Sequence, residues 1–372
     1  MKIDTISIEG YKSFAKVDQF ALRNLNVLIG ANGAGKSNFL SLFRLMTALS
    51  QGNLQTFVKG QGGPDAVLHG GRKRTPQLAV ELKFHPNGDI VNGYTIALEP
   101  TLDNRLQFVK EEPWIIGPRT GGSYAKRYPL GTAHEEARVT SDNVNRVSGY
   151  VAYWMKSWQQ FHFHDTSDAA AVKRPHPSND NLRLKTQADN LAAYLYHLRA
   201  LPGQEAAYRR IVDTIKLAAP FFGGFVTRDP VPETVELEWF EQTDPATPYR
   251  AHTLSDGTLR FICMTTLLLQ PIHLLPDTIL IDEPELGLHP FAINLLADMM
   301  KEVSQYKQLI VSTQSVELLN ALEPDHVVVA QRVSGATTLE RLDADELRGW
   351  LEDYQTLGEL WKRNVLGGRP SL

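Results

Sequence analysis

Residues 30–37 read Gly30-Ala31-Asn32-Gly33-Ala34-Gly35-Lys36-Ser37. This stretch meets the pattern Gly-x-x-x-x-Gly-Lys-Ser at every required position. The spacing has a chemical reason. Glycines let backbone N–H groups converge on phosphate oxygens with no Cβ in the way. A helix starting near Lys36 adds the positive end of its dipole. Lys36 then reaches the β- and γ-phosphates, the Ser37 hydroxyl becomes a magnesium ligand, and Asn38 joins the same binding set. The flanks agree: Leu-Asn-Val-Leu-Ile at 25–29 reads as a buried strand, and 39–49 reads as a helix.

Further along, residues 278–284 read Thr-Ile-Leu-Ile-Asp-Glu-Pro, an apolar strand ending in two carboxylates. Alternation along a strand would aim them in different directions. One can serve magnesium while the other polarises an attacking water. Asp282 is assigned to the metal shell and Glu283 to the general base. Such a pair alone also fits a solvated acidic turn; the phosphate loop upstream favours the catalytic reading. ATP and Mg²⁺ are the implied ligands.

Outward from these two stretches, 3–9 alternates as a strand and 51–76 reads as a long glycine-rich loop. Segments 77–84 and 92–99 read as strands joined by the turn His85-Pro86-Asn87-Gly88-Asp89. Residues 110–148 are irregular and polar. Helical stretches at 149–161 and 187–219 flank a loop at 165–185. A strand follows at 234–241 and a loop at 242–253. A helix at 255–270, strand at 278–282, helix at 290–305, strand at 308–312 and helix at 315–322 then alternate in α/β fashion. Residues 326–331 and 337–342 form a last strand pair, Asp343, Asp345 and Glu346 read as a solvated acidic turn, and 364–372 looks loose.

The chain has 372 residues, 42% hydrophobic and 22% charged, with a net charge of −4. That is ordinary for a soluble globular protein and disfavours a wholly basic nucleic-acid binder. The single cysteine, Cys263, excludes an intrachain disulfide and a paired-cysteine metal site. No apolar run suits a signal peptide or a membrane span, so a cytoplasmic location is expected.

The residues then resemble a family. Leu254-Ser255-Asp256-Gly257-Thr258-Leu259-Arg260 is similar to the signature motif of ABC-type ATPases. Glu283-Pro284-Glu285-Leu286-Gly287-Leu288-His289-Pro290 resembles the RecF/OLD/SMC-like branch. Ile8-Glu9-Gly10-Tyr11-Lys12-Ser13-Phe14 and Phe163-His164-Asp165-Thr166-Ser167 are similar to RecF-like bacterial ATPases. The resemblance runs through nearly the whole chain. It implies an α/β ABC-type ATPase head with a mixed sheet. The ATPase lobe would comprise 1–148 and 250–372, with a mostly helical lobe inserted at 149–249.

It also implies an ATP-dependent homodimer, in which the phosphate loop of one head faces Ser255 and Gly257 of the other. Asp256 is an awkward neighbour for a phosphate and is expected to cap its own helix. Gln314 stands where relatives commonly carry a histidine that senses the γ-phosphate, and a glutamine cannot become a cation. The magnesium-contacting glutamine of the superfamily stays open among Gln107, Gln159 and Gln160. There is no long coiled coil, and residues 316–372 are too few for the nuclease domain of the OLD proteins.

For partners, Arg72-Lys73-Arg74 in a glycine-rich loop is a candidate phosphodiester contact. Charge pairs that merely solvate loops are the alternative. Trp158 and Tyr153 on a helical stretch read as core. Three functions remain open. One is an ATPase acting on DNA, or controlling an effector or nuclease partner, in DNA repair or anti-phage defence. The second is a nucleotide sensor with little hydrolysis, and the third, less favoured, is a transporter cassette.

Overall fold

The regular alternation of Leu78, Val80, Leu82 and Phe84, all buried, builds one face of an antiparallel sheet. The computed structural model describes residues 2–120, 125–141, 145–354 and 356–367. They form two compact units, residues 1–158 with 323–372, and residues 159–322.

In the first unit the antiparallel sheet runs in the order Phe14–Ala21, Ile3–Tyr11, Leu78–Phe84, Val91–Pro100, Leu106–Ile116, Lys126–Arg127. The turn at Asn87 and Gly88 closes as expected, with Asn87 and Ile90 bridged. Leu25–Ile29 is buried at all five positions and pairs in parallel with Val327–Val333, which pairs antiparallel with Ala336–Arg341. A strand covered on both faces is buried in this continuous way, here with Asn26 as its one polar residue. Helix Lys36–Ser50 follows Leu25–Ile29. Its Phe39 and Phe43 join Phe14 and Trp158 in a chain of edge-to-face aromatic contacts at 5.5–6.1 Å.

The structure differs from the sequence expectation at three places in this unit. The stretch 51–76 is not one loop but holds helices Leu54–Gly60 and Pro64–Val67. The first starts on the Glu136 carboxylate, which accepts from Leu54 N at 2.7 Å and Gln55 N at 3.0 Å. A cap so far along the chain leaves no local signal. The start of 110–148 is strand, because Glu111 is buried rather than solvated. It accepts from Tyr94 Oη, His134 Nε2 and the amides of Arg138 and Val139, so its charge is fully hydrogen-bonded. Asp343 opens helix Ala344–Tyr354 by accepting from Asp345 N, where an acidic turn was expected. Residues 368–372, part of the tail read as loose, lie outside the described residues.

The second unit carries parallel strands Thr278–Asp282 and Gln308–Ser312, registered Thr278 on Gln308 through Asp282 on Ser312. Trp158–Phe161, whose last three residues belong to this unit, flanks Thr278–Asp282. Helix Glu205–Ala218 packs on Asp256–Leu269 and Pro290–Ser304. The loop expected at 242–253 is instead largely strand Asp244–Arg250, which pairs with Glu238–Glu241 and, through it, joins Phe222–Phe225. The segment 149–249, expected to be mostly helical, thus holds this three-stranded sheet as well as its helices.

Candidate functional site

In the first unit the chain leaves Leu25–Ile29 at Gly30 and enters its helix at Lys36. The glycines of the loop answer different demands. A Cβ on Gly30 would stand 2.2 Å from the Ala330 carbonyl oxygen, and one on Gly35 2.3 Å from Thr337 Oγ1. Gly33 has φ 79° and open space beside it, so its requirement is conformational. Lys36 is buried, and its Nζ donates to the carbonyls of Gly30 at 2.6 Å and Ala31 at 3.1 Å. The loop is therefore closed around its own cation. Asn32 and Ser37 are exposed, Ala31 and Asn38 half-buried, Ala34 buried.

The loop is also held from outside. Thr337 Oγ1 donates to the Ala34 carbonyl at 2.8 Å, and Thr337 N donates to the Ser13 carbonyl. Asn38 Nδ2 donates to Ser13 Oγ at 2.9 Å, so its amide supports the loop. Ser13 was read only as part of the 8–14 resemblance, and Thr337 was not singled out, since nothing local marks a residue that supports a turn 303 positions away. No side chain caps the helix at Gly35. Uncapped N–H groups on a helix start are a ready anion cradle.

In the second unit Asp282 ends its strand with its Oδ1 accepting from Ser312 Oγ, while its carbonyl accepts from His164 Nε2 at 2.7 Å. Glu283 lies beyond the strand, at φ 43°, and its amide donates to the Ser312 carbonyl at 2.8 Å. The two carboxylates part through this left-handed residue, and not through strand alternation as expected. Glu283 Oε1 accepts from Gln314 Nε2 at 2.5 Å. A third carboxyl, Glu285, stands close by. Its Oε1 accepts from Thr313 Oγ1 at 2.5 Å and Gln314 N at 3.3 Å. Burial pushes its pKa upward, and the charge of Glu283 adds to the push.

Ser255 caps helix Asp256–Leu269, accepting from Thr258 N at 3.2 Å. The expectation that Asp256 caps it is corrected: Asp256 is the first helical residue. Gly257 faces the Gly287 carbonyl oxygen, 2.2 Å from where its Cβ would be. Arg260, three residues on, donates to the carbonyls of Leu286 at 3.0 Å and His164 at 2.8 Å. His164 and Arg260 thus hold the acidic loop, a role the sequence did not assign.

Of the basic triplet, Arg72 is engaged. It meets Asp65 at 3.1 Å, the Thr101 carbonyl at 3.2 Å and Asn104 Oδ1. Lys73 and Arg74 are exposed. Gln107 is held by Glu99 on the antiparallel sheet. Gln159 and Gln160 lie on the strand flanking Thr278–Asp282. Trp158 is buried as read, whereas Tyr153 is exposed.

A family model described as "AAA domain, putative AbiEii toxin, Type IV TA system" matches residues 25–320. No curated protein matches the sequence. Among the solved structures of similar fold are two Smc heads. One is an Smc head bound to the C-winged helix domain of ScpA, 15% identical, with 94% of this chain and 100% of that one covered and a TM-score of 0.59. The other is an Smc head with an extended coiled coil bound to the C-terminal domain of ScpA, derived from Pyrococcus furiosus. It is 14% identical, with 95% and 99% covered and a TM-score of 0.56.

Proposed function

The chain belongs to this AAA-domain family, and from that premise we propose that it binds ATP with magnesium and hydrolyses it. The carrying observation is the 30–37 loop: a buried lysine, an uncapped helix start and glycines where no Cβ fits. Phosphate oxygens replace the Gly30 and Ala31 carbonyls as partners of Lys36, and the helix amides take the rest of the charge. Gly30 through Asn38 form the binding set.

Magnesium fits the donor chemistry. Ser37 offers an exposed hydroxyl and Asp282 a carboxylate, both hard oxygens. Among the described residues no group of three or more His, Cys, Asp or Glu could hold a metal ion. When bound, magnesium supplies charge to the phosphates. Glu283 accepts the proton of the attacking water.

Ser255 and Gly257 present the signature to the nucleotide of a second copy, so the working form is an ATP-bound homodimer. The division into a lobe of 1–148 with 250–372 and an inserted lobe at 149–249 belongs to this proposal. A protein partner fits too, since the Smc heads of similar fold are bound to ScpA. Contact with DNA through Lys73 and Arg74, in repair or in defence, follows from the family resemblance and the exposed charges. Among the described residues no helix is long and apolar enough to cross a membrane. A second reading, a sensor with slow turnover, is favoured by one observation: Gln314 is a neutral donor already engaged by Glu283.

Calorimetry with ATP and magnesium, beside phosphate release, tests the proposal. We expect binding to wild type and its weakening in Lys36→Ala. Equal affinity of the two proteins sinks the phosphate-loop reading. Binding without phosphate release leaves the sensor.

A further inference from the structure

Glu285 is a carboxyl group that the catalytic reading leaves unused. It is largely buried, which is costly for a charge, and it lies beside another carboxylate, which adds to the cost. One of its oxygens does all the bonding. Oε1 accepts from Thr313 Oγ1 and from Gln314 N, while Oε2 is buried with no partner. The same hydroxyl of Thr313 accepts from Ser315 N at 2.9 Å, so one side chain fastens three consecutive residues. Those residues are the turn between strand Gln308–Ser312 and helix Val316–Asn320, and Gln314 is its exposed tip. The tip donates from Nε2 to Glu283 Oε1.

We propose that Glu285 is a positioning residue for hydrolysis: it fixes the 313–315 turn so that the Gln314 amide holds the Glu283 carboxylate in one orientation. This rests on the reading of Glu283 as the general base. The chain of contacts runs Glu285, turn, Gln314, Glu283, and each link is a hydrogen bond. Glu283 needs such a hold. It sits in a left-handed conformation past the end of its strand and is only half-buried, so packing alone does not fix its carboxylate. In this arrangement Gln314 acts on the base, whereas a γ-phosphate sensor would act on the nucleotide. The pKa of Glu285 is raised by its burial, with the Glu283 charge adding to the rise.

Steady-state kinetics on Glu285→Leu, Gln314→Leu and the double variant test it. Each single change should lower kcat by about 10- to 100-fold while KM for ATP stays within about twofold. The double variant should be no worse than either single, because both cut one chain. Glu285→Gln keeps an acceptor oxygen and should recover most of the activity that Glu285→Leu loses. Gln314 is exposed, so its variant tests the idea even if Glu285→Leu folds poorly. A rise in KM at constant kcat for Gln314→Leu would return it to the nucleotide and overturn the proposal, as would multiplicative losses in the double variant. A second readout does not depend on turnover. Exchange of the Gln314 side-chain amide, assigned by its absence in Gln314→Leu, should be slow in wild type and fast in Glu285→Leu. Wild-type protein without phosphate release defeats the proposed activity; fast amide exchange in wild type defeats this inference.

Discussion

The carbonyl oxygen of Gly287 packs against the α-carbon face of Gly257, so that a Cβ there would stand 2.2 Å from it. The signature helix and the acidic loop are thereby fitted backbone to backbone. Gly257 has a packing reason to be glycine that is independent of any phosphate. We expect Gly257→Ala to destabilise the protein by about 1–3 kcal/mol, as overpacking does. The loss should appear in nucleotide-free protein by thermal or urea denaturation. An unchanged midpoint in the absence of ATP would show that the loop moves aside freely and that the residue serves the nucleotide alone.

The basic triplet divides into one structural and two solvent-facing residues. Arg72→Ala removes a guanidinium that ties together Asp65, Thr101 and Asn104, so it should lower stability by about 1 kcal/mol with little change in DNA affinity. Reversing Lys73 and Arg74 to Glu should leave stability within about 0.5 kcal/mol. It should also weaken any DNA binding alike for all sequences and flatten its salt dependence. Gel-shift titrations at several salt concentrations check the second part. Wild type that binds no DNA removes this surface from the function.

Lys12 provides a pH test. Its Nζ donates to Ser41 Oγ and Gln61 Oε1, both at 2.7 Å, and burial lowers its pKa to about 8, with the Arg44 charge adding to the fall. A neutral amine retains two N–H donors, enough for both acceptors. The folded pKa lies below the unfolded one, so the unfolded chain binds the proton first. Stability linked to Lys12 is therefore fully present above the ordinary lysine value of 10.5 and is lost as pH falls toward about 8. Urea midpoints of wild type relative to Lys12→Met should rise between pH 8 and pH 10. A flat difference over that range contradicts the buried-amine reading.

The parts of the site legible in the sequence are those whose chemistry and spacing are local. Gly30 to Ser37 showed itself because a phosphate cradle needs particular residues in consecutive positions, and Asp282 and Glu283 because an apolar run ends on them. The supports were not legible. Thr337 reaches Ala34 and Glu136 caps Leu54 from far along the chain, and both connections exist only once the strands are registered. Glu111 misled in the opposite direction. A charged residue in a strand reads as exposed unless its four donors are known. Gln314 lies in the turn past strand Gln308–Ser312, and its partner is a carboxylate that sequence spacing cannot aim.

Binding, hydrolysis and pairing of heads can be separated by two residues of the second unit. Glu283→Gln keeps the shape and can still pair with Gln314, but it removes the charge that accepts a proton. Phosphate release should fall by roughly a factor of a hundred or more, while ATP affinity holds. If two copies close around ATP, this protein cannot discharge the nucleotide, and the dimer should accumulate. Ser255→Arg in the same background should abolish the dimer, because a bulky side chain fills the place of the facing γ-phosphate. Ser255 is also the cap of its helix, and losing the cap alone costs about 1 kcal/mol. Ser255→Ala therefore serves as the control: it loses the cap without adding bulk, and the dimer should survive at saturating ATP. Light scattering at micromolar protein reads all three. A Glu283→Gln protein that stays monomeric with ATP bound rules out the closed pair of heads, and one that releases phosphate at the wild-type rate removes Glu283 from the mechanism.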